Sequence, residues 1–255
     1  MVYYKLNTFR LWIPRRGFGD KQHIMSGFQS WLQQLEYGKA LELLIVVVSA
    51  LLCTTIHEVS HGYAAYRLGD PTAKRAGRLS LNPLRHIDLL GLLCMALVHF
   101  GWAKPVPINP GYFKHFRRDT AVVSLAGPLS NFILAFVAMT LYTASWWLWR
   151  YLGTPEWAWY LALFFWYTAI LSCTLGLFNL IPVPPLDGSK ILFSLLPEEK
   201  YRWLLRYERY GFLLMAVLLV TNILDKPMAF LQDKMLDVLF WACSWPIDLL
   251  NHLFL

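Results

Sequence analysis

The chain has 255 residues, of which 57% are hydrophobic, 16% are aromatic and only 15% are charged. Soluble globular domains are about 45–50% apolar and about 25% charged, so this composition excludes an ordinary soluble domain and indicates a protein of the lipid bilayer. The net charge of +7 fits the excess of Lys and Arg in cytoplasmic loops of membrane proteins, and because basic and aromatic residues do not interleave we expect no nucleic-acid partner.

The first half of the chain contains one clear membrane span and one shorter apolar segment. Residues 1–39 are mixed and polar, which predicts an N-terminal interfacial segment. The apolar run at 40–66 is long enough to cross the membrane as a helix. A run at 89–102 is too short to span and has basic residues on both sides, which favours a re-entrant hairpin or a buried segment.

The second half contains two further long apolar runs, 120–149 and 158–181, which predict two more spans. Prolines end the second of these helices, because proline cannot continue a helical hydrogen-bond pattern. A further apolar segment at 210–225 predicts one more span, and 226–255 predicts an amphipathic tail or a final span. We therefore expect three parts, with boundaries at 1–39, 40–225 and 226–255.

Together these segments predict an all-α polytopic membrane protein, with a three-helix core, additional helices and a short re-entrant or hairpin segment. The loops at 67–119 and 182–209 are rich in Lys and Arg, so we expect both to face the cytoplasm. This arrangement predicts a multi-pass protein of the cell inner (cytoplasmic) membrane, with the lipid bilayer as its surroundings.

The end of the first apolar helix carries an HExxH motif, formed by His57, Glu58 and His61. Residues i and i+4 share one helix face about 6 Å apart, so the two imidazoles can bind one metal ion. Glu58 follows His57 directly and can deprotonate a water molecule held by that ion. Because ionisable groups are costly inside a membrane, their presence in an apolar helix favours a functional site over a merely solvated one.

Two histidines leave a zinc ion one protein ligand short. One candidate is Asp187, which follows a proline-rich break at the predicted cytoplasmic face and precedes Gly188, a residue suited to a tight turn. Its alternative role is that of an N-cap for a helix beginning near Ser189. The sequence leaves this choice open. Other candidates lie closer to the motif, namely Asp70, His86, Asp88, His99 and His115.

Asn131 is a polar residue within the long apolar run 120–149, in the sequence GPLSN. The small residues near it allow helices to approach closely, so its amide can serve as an interhelical hydrogen-bonding group. Its alternative role is to hold a substrate backbone or to stabilise a developing oxyanion.

Three motifs in order carry a family resemblance: HEVSH at 57–61, GPLSN at 127–131 and NLIPVPPLDG at 179–188. The chain resembles the site-2 protease family of intramembrane zinc metallopeptidases over about residues 40–200, and is similar to compact bacterial members without a PDZ domain. The resemblance implies that the three core helices form a catalytic core. It also implies that His57, His61 and Asp187 bind one catalytic Zn²⁺ ion.

The same resemblance implies that Glu58 is the general base and that Asn131 positions the substrate or transition state. The expected activity is hydrolysis of peptide bonds in transmembrane segments of membrane-anchored proteins near the cytoplasmic face, with release of a regulatory fragment. The alternative function is a metal-ion transporter or channel that uses the histidines to handle ions. The small number of intramembrane acids argues against that alternative. The sequence predicts no oligomeric state.

Overall fold

The computed structural model describes residues 37–88, 91, 104–151, 156–197, 199–201 and 210–245. Within these residues the regular structure is helical, and no strand occurs. Short 3₁₀ turns occupy Pro83–Arg85 and Pro110–Tyr112. The described part of the chain contains seven α-helices, in the order α1 (Tyr37–Arg67), α2 (Thr72–Arg75), α3 (Phe116–Tyr151), α4 (Glu156–Asn179), α5 (Asp187–Leu195), α6 (Gly211–Val220) and α7 (Asp225–Cys243).

Where the structure describes the chain, three helices are long and apolar enough to cross a membrane: Ala40–Arg67, Phe116–Trp147 and Trp157–Asn179. They confirm the three spans predicted at 40–66, 120–149 and 158–181, and with them the all-α polytopic fold. The N-terminal segment 1–39 and the short apolar run 89–102 lie almost entirely outside the described residues, and the boundaries of the three predicted parts stay a prediction. Residues 41–255 form one compact unit and residues 1–40 another.

The helix α3 begins earlier than its apolar run predicts. It starts at Phe116 and includes two arginines and Asp119 in its first turns. The Asp119 carboxylate accepts a hydrogen bond of 3.0 Å from the backbone N–H of His115, just before the helix. An acidic group near a helix N-terminus satisfies free backbone donors and interacts favourably with the helix dipole, so the helix extends beyond the apolar stretch.

The core of the bundle lies between α3 and α4, where small side chains let the helices approach closely. Buried alanines line this contact, and the ring of Phe132 packs beside Gly176, at which an added Cβ would lie 3.0 Å from the ring. Buried hydroxyls join the spans, as where Thr168 donates to Ser49 at 3.1 Å. Small residues and interhelical hydrogen bonds are typical of helix packing in membranes. The buried alanines are Ala135, Ala138, Ala162 and Ala169.

The span predicted at 210–225 is not one continuous helix in the described residues. The helix α6 ends at Val220, and Asn222 adopts a left-handed conformation with φ of 53°. The chain then bends by 84° into α7, so the two helices form a broken pair rather than a straight span. A ten-residue helix is about 15 Å long, too short to cross the hydrocarbon layer alone.

The helix α7 joins the core of the bundle. Leu239 and Cys243 are buried in the same cluster as the side chains that α3 and α4 contribute. The Thr143 hydroxyl of α3 donates to the backbone carbonyl of Cys243 at 3.2 Å. The start of the predicted tail at 226–255 therefore packs against the membrane helices, while residues 246–255 lie outside the described part of the chain.

Candidate metal centre

The helix α1 brings the two histidines of the HExxH motif together near its C-terminal end. Their rings are 4.5 Å apart between centroids and meet edge to face at 88°. The Nε2 atoms of His57 and His61 lie 3.0 Å apart. Both side chains are buried. One turn of helix is therefore enough to aim the same ring nitrogen of each residue at one point.

Asp187 completes this cluster from the first turn of α5. Its Oδ2 atom lies 3.2 Å from Nε2 of His57 and 3.0 Å from Nε2 of His61. The alternative role as an N-cap is wrong, because Leu186 occupies that position and no side chain caps the helix.

The chain around Asp187 is held close to the end of α4. A Cβ at Gly188 would lie 2.2 Å from the carbonyl oxygen of Leu180, so only glycine permits this approach. Gly188 thus lies in the first turn of α5 and serves close backbone contact, whereas the sequence suggested a tight turn. Arg117 at the start of α3 donates to the carbonyl of Ser194 at 2.7 Å, which fixes the far end of α5.

The Asp187 carboxylate is ionised in this setting. Burial alone would raise its pKa, but hydrogen bonds with His57 and His61 and the charges of those rings outweigh burial and hold the pKa well below its usual range. A carboxylate and two imidazoles are a donor set suited to zinc. Ligand atoms about 2.0–2.2 Å from a tetrahedral ion lie roughly 3.3–3.5 Å from one another, close to the separations of this cluster. The three side chains therefore fit a zinc ion.

The helix α3 passes directly over the two rings at Gly127. A Cβ there would lie 2.4 Å from Nε2 of His61 and 2.6 Å from Cε1 of His57, so no larger residue fits. One turn earlier, the carbonyl oxygen of Val123 accepts a hydrogen bond of 2.7 Å from Nδ1 of His61. A proton on Nδ1 leaves the Nε2 lone pair free, as a metal ligand requires.

Asn131 lies on the same helix, against the other histidine. Its Nδ2 atom is 3.3 Å from Nδ1 of His57, and its side chain is fully buried. The Ser172 hydroxyl of α4 donates to the backbone carbonyl of Asn131 at 2.8 Å. The three sequence motifs therefore meet at one place, although α1, α3 and α5 each supply a different one.

Glu58 has a partner that the sequence does not reveal. Its Oε2 atom accepts a hydrogen bond of 2.8 Å from the backbone N–H of Val106. Prolines on both sides of Val106 lack an N–H and favour an extended chain. This alternation of proline and non-proline residues is the sequence signal that points to an extended segment with a free N–H. It does not indicate which side chain accepts the hydrogen bond.

The other residues considered as a third ligand have different partners. Asp70 accepts hydrogen bonds from the backbone N–H groups of Thr72 at 2.9 Å and Asn109 at 2.7 Å. Nε2 of His86 lies 2.9 Å from the carbonyl oxygen of Ser80. Among the described residues, the potential metal cluster consists of His57, His61 and Asp187. It does not include Asp88 or His115, and His99 lies outside the described residues.

Comparisons with known proteins agree with this geometry. Residues 150–221 match the model of a family described as "Peptidase family M50". A Bacillus subtilis (strain 168) protein named "Putative zinc metalloprotease YwhC" is 41% identical over 179 residues, which are 69% of this chain and 80% of that protein. The chain belongs to peptidase family M50.

Two M50 relatives from mycobacteria extend the match. Both carry the name "Putative zinc metalloprotease Rip2". The protein of Mycolicibacterium smegmatis is 33% identical over 72% of this chain and 69% of its own length. That of Mycobacterium tuberculosis (strain H37Rv) is 30% identical over 79% of this chain and 77% of its own length. No solved structure matches the chain.

Membership of the M50 family confirms the resemblance to site-2 proteases that the three motifs carry. The chain is a metallopeptidase with membrane-spanning helices. The alternative function as a metal-ion transporter or channel is not favoured, because the family and the relatives point to proteolysis.

Proposed function

We propose that this chain is an intramembrane zinc endopeptidase, which hydrolyses peptide bonds within transmembrane segments of membrane-anchored proteins. His57, His61 and Asp187 hold one zinc ion, which when bound polarises the scissile carbonyl and acidifies water. The convergence of these three side chains carries the proposal, since their ligand atoms lie 3.0–3.2 Å apart.

Glu58 is the general base of the proposed reaction. It takes a proton from the attacking water and passes it to the leaving amine. The hydrogen bond from the Val106 N–H restrains one carboxylate oxygen and leaves the other for the water. The predicted contact between Asn131 and the substrate stays a prediction.

An apolar groove on the same helices as the histidines and Asn131, although not lined by those residues, supports a substrate that arrives from the lipid. It lies between α1 and α3 and has a volume of about 400 Å³. Tyr63, Leu129 and Ile133 at the groove are more than half exposed, as expected for side chains that meet lipid or a substrate helix. The substrate must unwind locally at the metal centre, because helical amides are hydrogen-bonded and shielded. The groove is lined by Val59, Ser60, Tyr63, Ala64, Ala126, Leu129, Ser130 and Ile133.

The charge distribution supports an active site near the cytoplasmic face of the inner membrane. Exposed basic side chains follow α1 and begin α3, at the end of the bundle that carries the histidines. By the positive-inside bias such residues face the cytoplasm. Cleavage at this depth would release a regulatory fragment to that side. In the described residues from 67 to 118, the exposed basic residues are Arg67, Lys74, Arg75, Arg85, Lys104, Lys114 and Arg118.

The test compares membrane proteomes of cells that carry the wild-type chain or Glu58→Gln. The variant keeps the three metal ligands and lacks a base, so intact membrane-anchored substrates should accumulate and their cleaved forms should disappear. Glu42→Gln is the matched control, because Glu42 lies in the same helix and pairs with Tyr167 away from the centre. Cleavage that persists in Glu58→Gln contradicts the assigned base, and an unchanged membrane proteome contradicts the proposed substrate class.

A further inference from the structure

Asn131 has an unusual position for a residue that contacts substrate. Its side chain has 0% exposure, and Oδ1 has no hydrogen-bond partner. Its Nδ2 atom lies 3.3 Å from Nδ1 of His57. The hydrogen bond from Ser172 holds the backbone of Asn131 against α4, and the amide is buried beside His57 rather than open to the surface. This placement points to a role that acts through His57.

The chemistry of His57 limits what that role can be. A neutral imidazole carries one proton, and a histidine that binds metal through Nε2 must carry it on Nδ1. That N–H needs an acceptor, which for His61 is the carbonyl oxygen of Val123. For His57 the facing group is an amide nitrogen, which donates and cannot accept. Two donors would then face each other inside a buried site, which is unfavourable.

We propose that Asn131 orients His57 as a zinc ligand, by accepting the Nδ1–H hydrogen bond through its side-chain oxygen. A half-turn about the Cβ–Cγ bond exchanges the two amide atoms without altering the packing, and places Oδ1 beside Nδ1. The helix α3 then holds both histidines in the same tautomer, His61 through a backbone carbonyl and His57 through a side chain. Asn131 is thus a positioning residue. The inference rests on the proposed zinc site.

Two substitutions separate this role from substrate binding. Asn131→Leu keeps the approximate volume but removes the acceptor, and loss of such a partner typically weakens metal affinity about 10–100-fold. Asn131→Asp keeps an acceptor and loses the donor, so it should bind zinc with close to wild-type affinity. If instead the Asn131 amide donates to the substrate or to an oxyanion, zinc affinity should be unchanged in both variants. Asn131→Asp should then lose cleavage, because it lacks the donor.

The measurement is zinc affinity by competition with a chelator, on the full chain in detergent micelles. The absorption spectrum of the Co²⁺-substituted protein provides a second readout, since it reports ligand geometry independently of proteolysis. Thr174→Val is the matched control, because the Thr174 hydroxyl donates to the carbonyl of Ile170 in its own helix. The control should keep the affinity and the spectrum of the wild type.

Each outcome decides the inference. Weaker zinc binding and an altered Co²⁺ spectrum in Asn131→Leu, with both preserved in Asn131→Asp, support it. Equal affinity in all variants overturns it and leaves the zinc site intact. If Asn131→Leu does not fold, Asn131→Asp decides through zinc affinity and cleavage together. Both are preserved if Asn131 is an acceptor, lost affinity contradicts that role, and lost cleavage with normal affinity indicates a donor to substrate. A wild-type chain that binds no zinc overturns the proposed function together with this inference.

Discussion

The backbone N–H of Val106 donates a hydrogen bond of 2.8 Å to the Glu58 carboxylate, from a chain segment 48 residues away. The side chain of Val106 is buried and packs toward Gly62, where an added Cβ would lie 2.8 Å from it. Because Glu58 is only partly buried, this contact restrains a side chain that would otherwise sample several rotamers. The extended segment that carries Val106 therefore positions the proposed base.

Val106→Pro removes this N–H and should lower kcat/KM for a membrane substrate by at least about tenfold. Hydrogen bonds to charged groups contribute about 1.5–3 kcal/mol, and 1.4 kcal/mol corresponds to a factor of about ten. Zinc affinity should not change, since Glu58 is not a ligand in the proposed site. Val106→Thr keeps the N–H and the shape and should cleave like the wild type. Equal rates in both variants would show that the contact has no role in the reaction.

Asp187→Asn should lower zinc affinity more than the roughly 10–100-fold expected when a ligand loses its supporting partner. The amide is a poorer ligand, and it removes the negative charge that lies beside His57 and His61. Asp70→Asn provides the control, because Asp70 is also a buried aspartate but its carboxylate accepts hydrogen bonds from backbone N–H groups. It should lower thermal stability and leave zinc affinity unchanged, as measured by chelator competition. Loss of zinc in Asp70→Asn alone would reverse the ligand assignment.

Removal of metal should destabilise the wild-type chain. A ligand that binds the folded state adds about 2.7 kcal/mol to the free energy of unfolding when its free concentration is 100 times Kd. We expect thermal unfolding in micelles to shift upward when zinc is returned to chelator-treated protein. His61→Ala should show no such shift, since it lacks one of the converging ligands. A shift of the same size in His61→Ala would mean that zinc binds elsewhere.

Gly127→Ala should abolish zinc binding even though alanine favours helix by about 1 kcal/mol over glycine. The added Cβ would lie 2.4 Å from Nε2 of His61 and 2.6 Å from Cε1 of His57, so the rings must move. Gly176→Ala is the same change in the neighbouring helix, where the Cβ would meet the ring of Phe132 at 3.0 Å. It should retain zinc. Chelator competition on both variants measures the difference, and normal zinc affinity in Gly127→Ala would contradict the close approach of α3.

The sequence by itself determined the features that arise from local order. Three long apolar runs specify three spans, because every backbone group in lipid must find a partner within its own helix. The pairing of His57 with His61 follows from the helix repeat alone. Hydropathy identified the apolar segment at 210–225 but does not encode the bend beside Asn222, which breaks it into two helices.

Only the tertiary structure decided which other residues join the histidines. Sequence spacing allowed Asp70, His86 and Asp187 equally, and family resemblance rather than geometry favoured the last. The close approach of Gly188 to Leu180 holds the start of α5 where Asp187 faces the two rings. Ligand sets, hydrogen-bond acceptors and restraints on a base depend on contacts between segments far apart in the chain. Such contacts are set by the shapes of packed helices, which no local pattern of residues records.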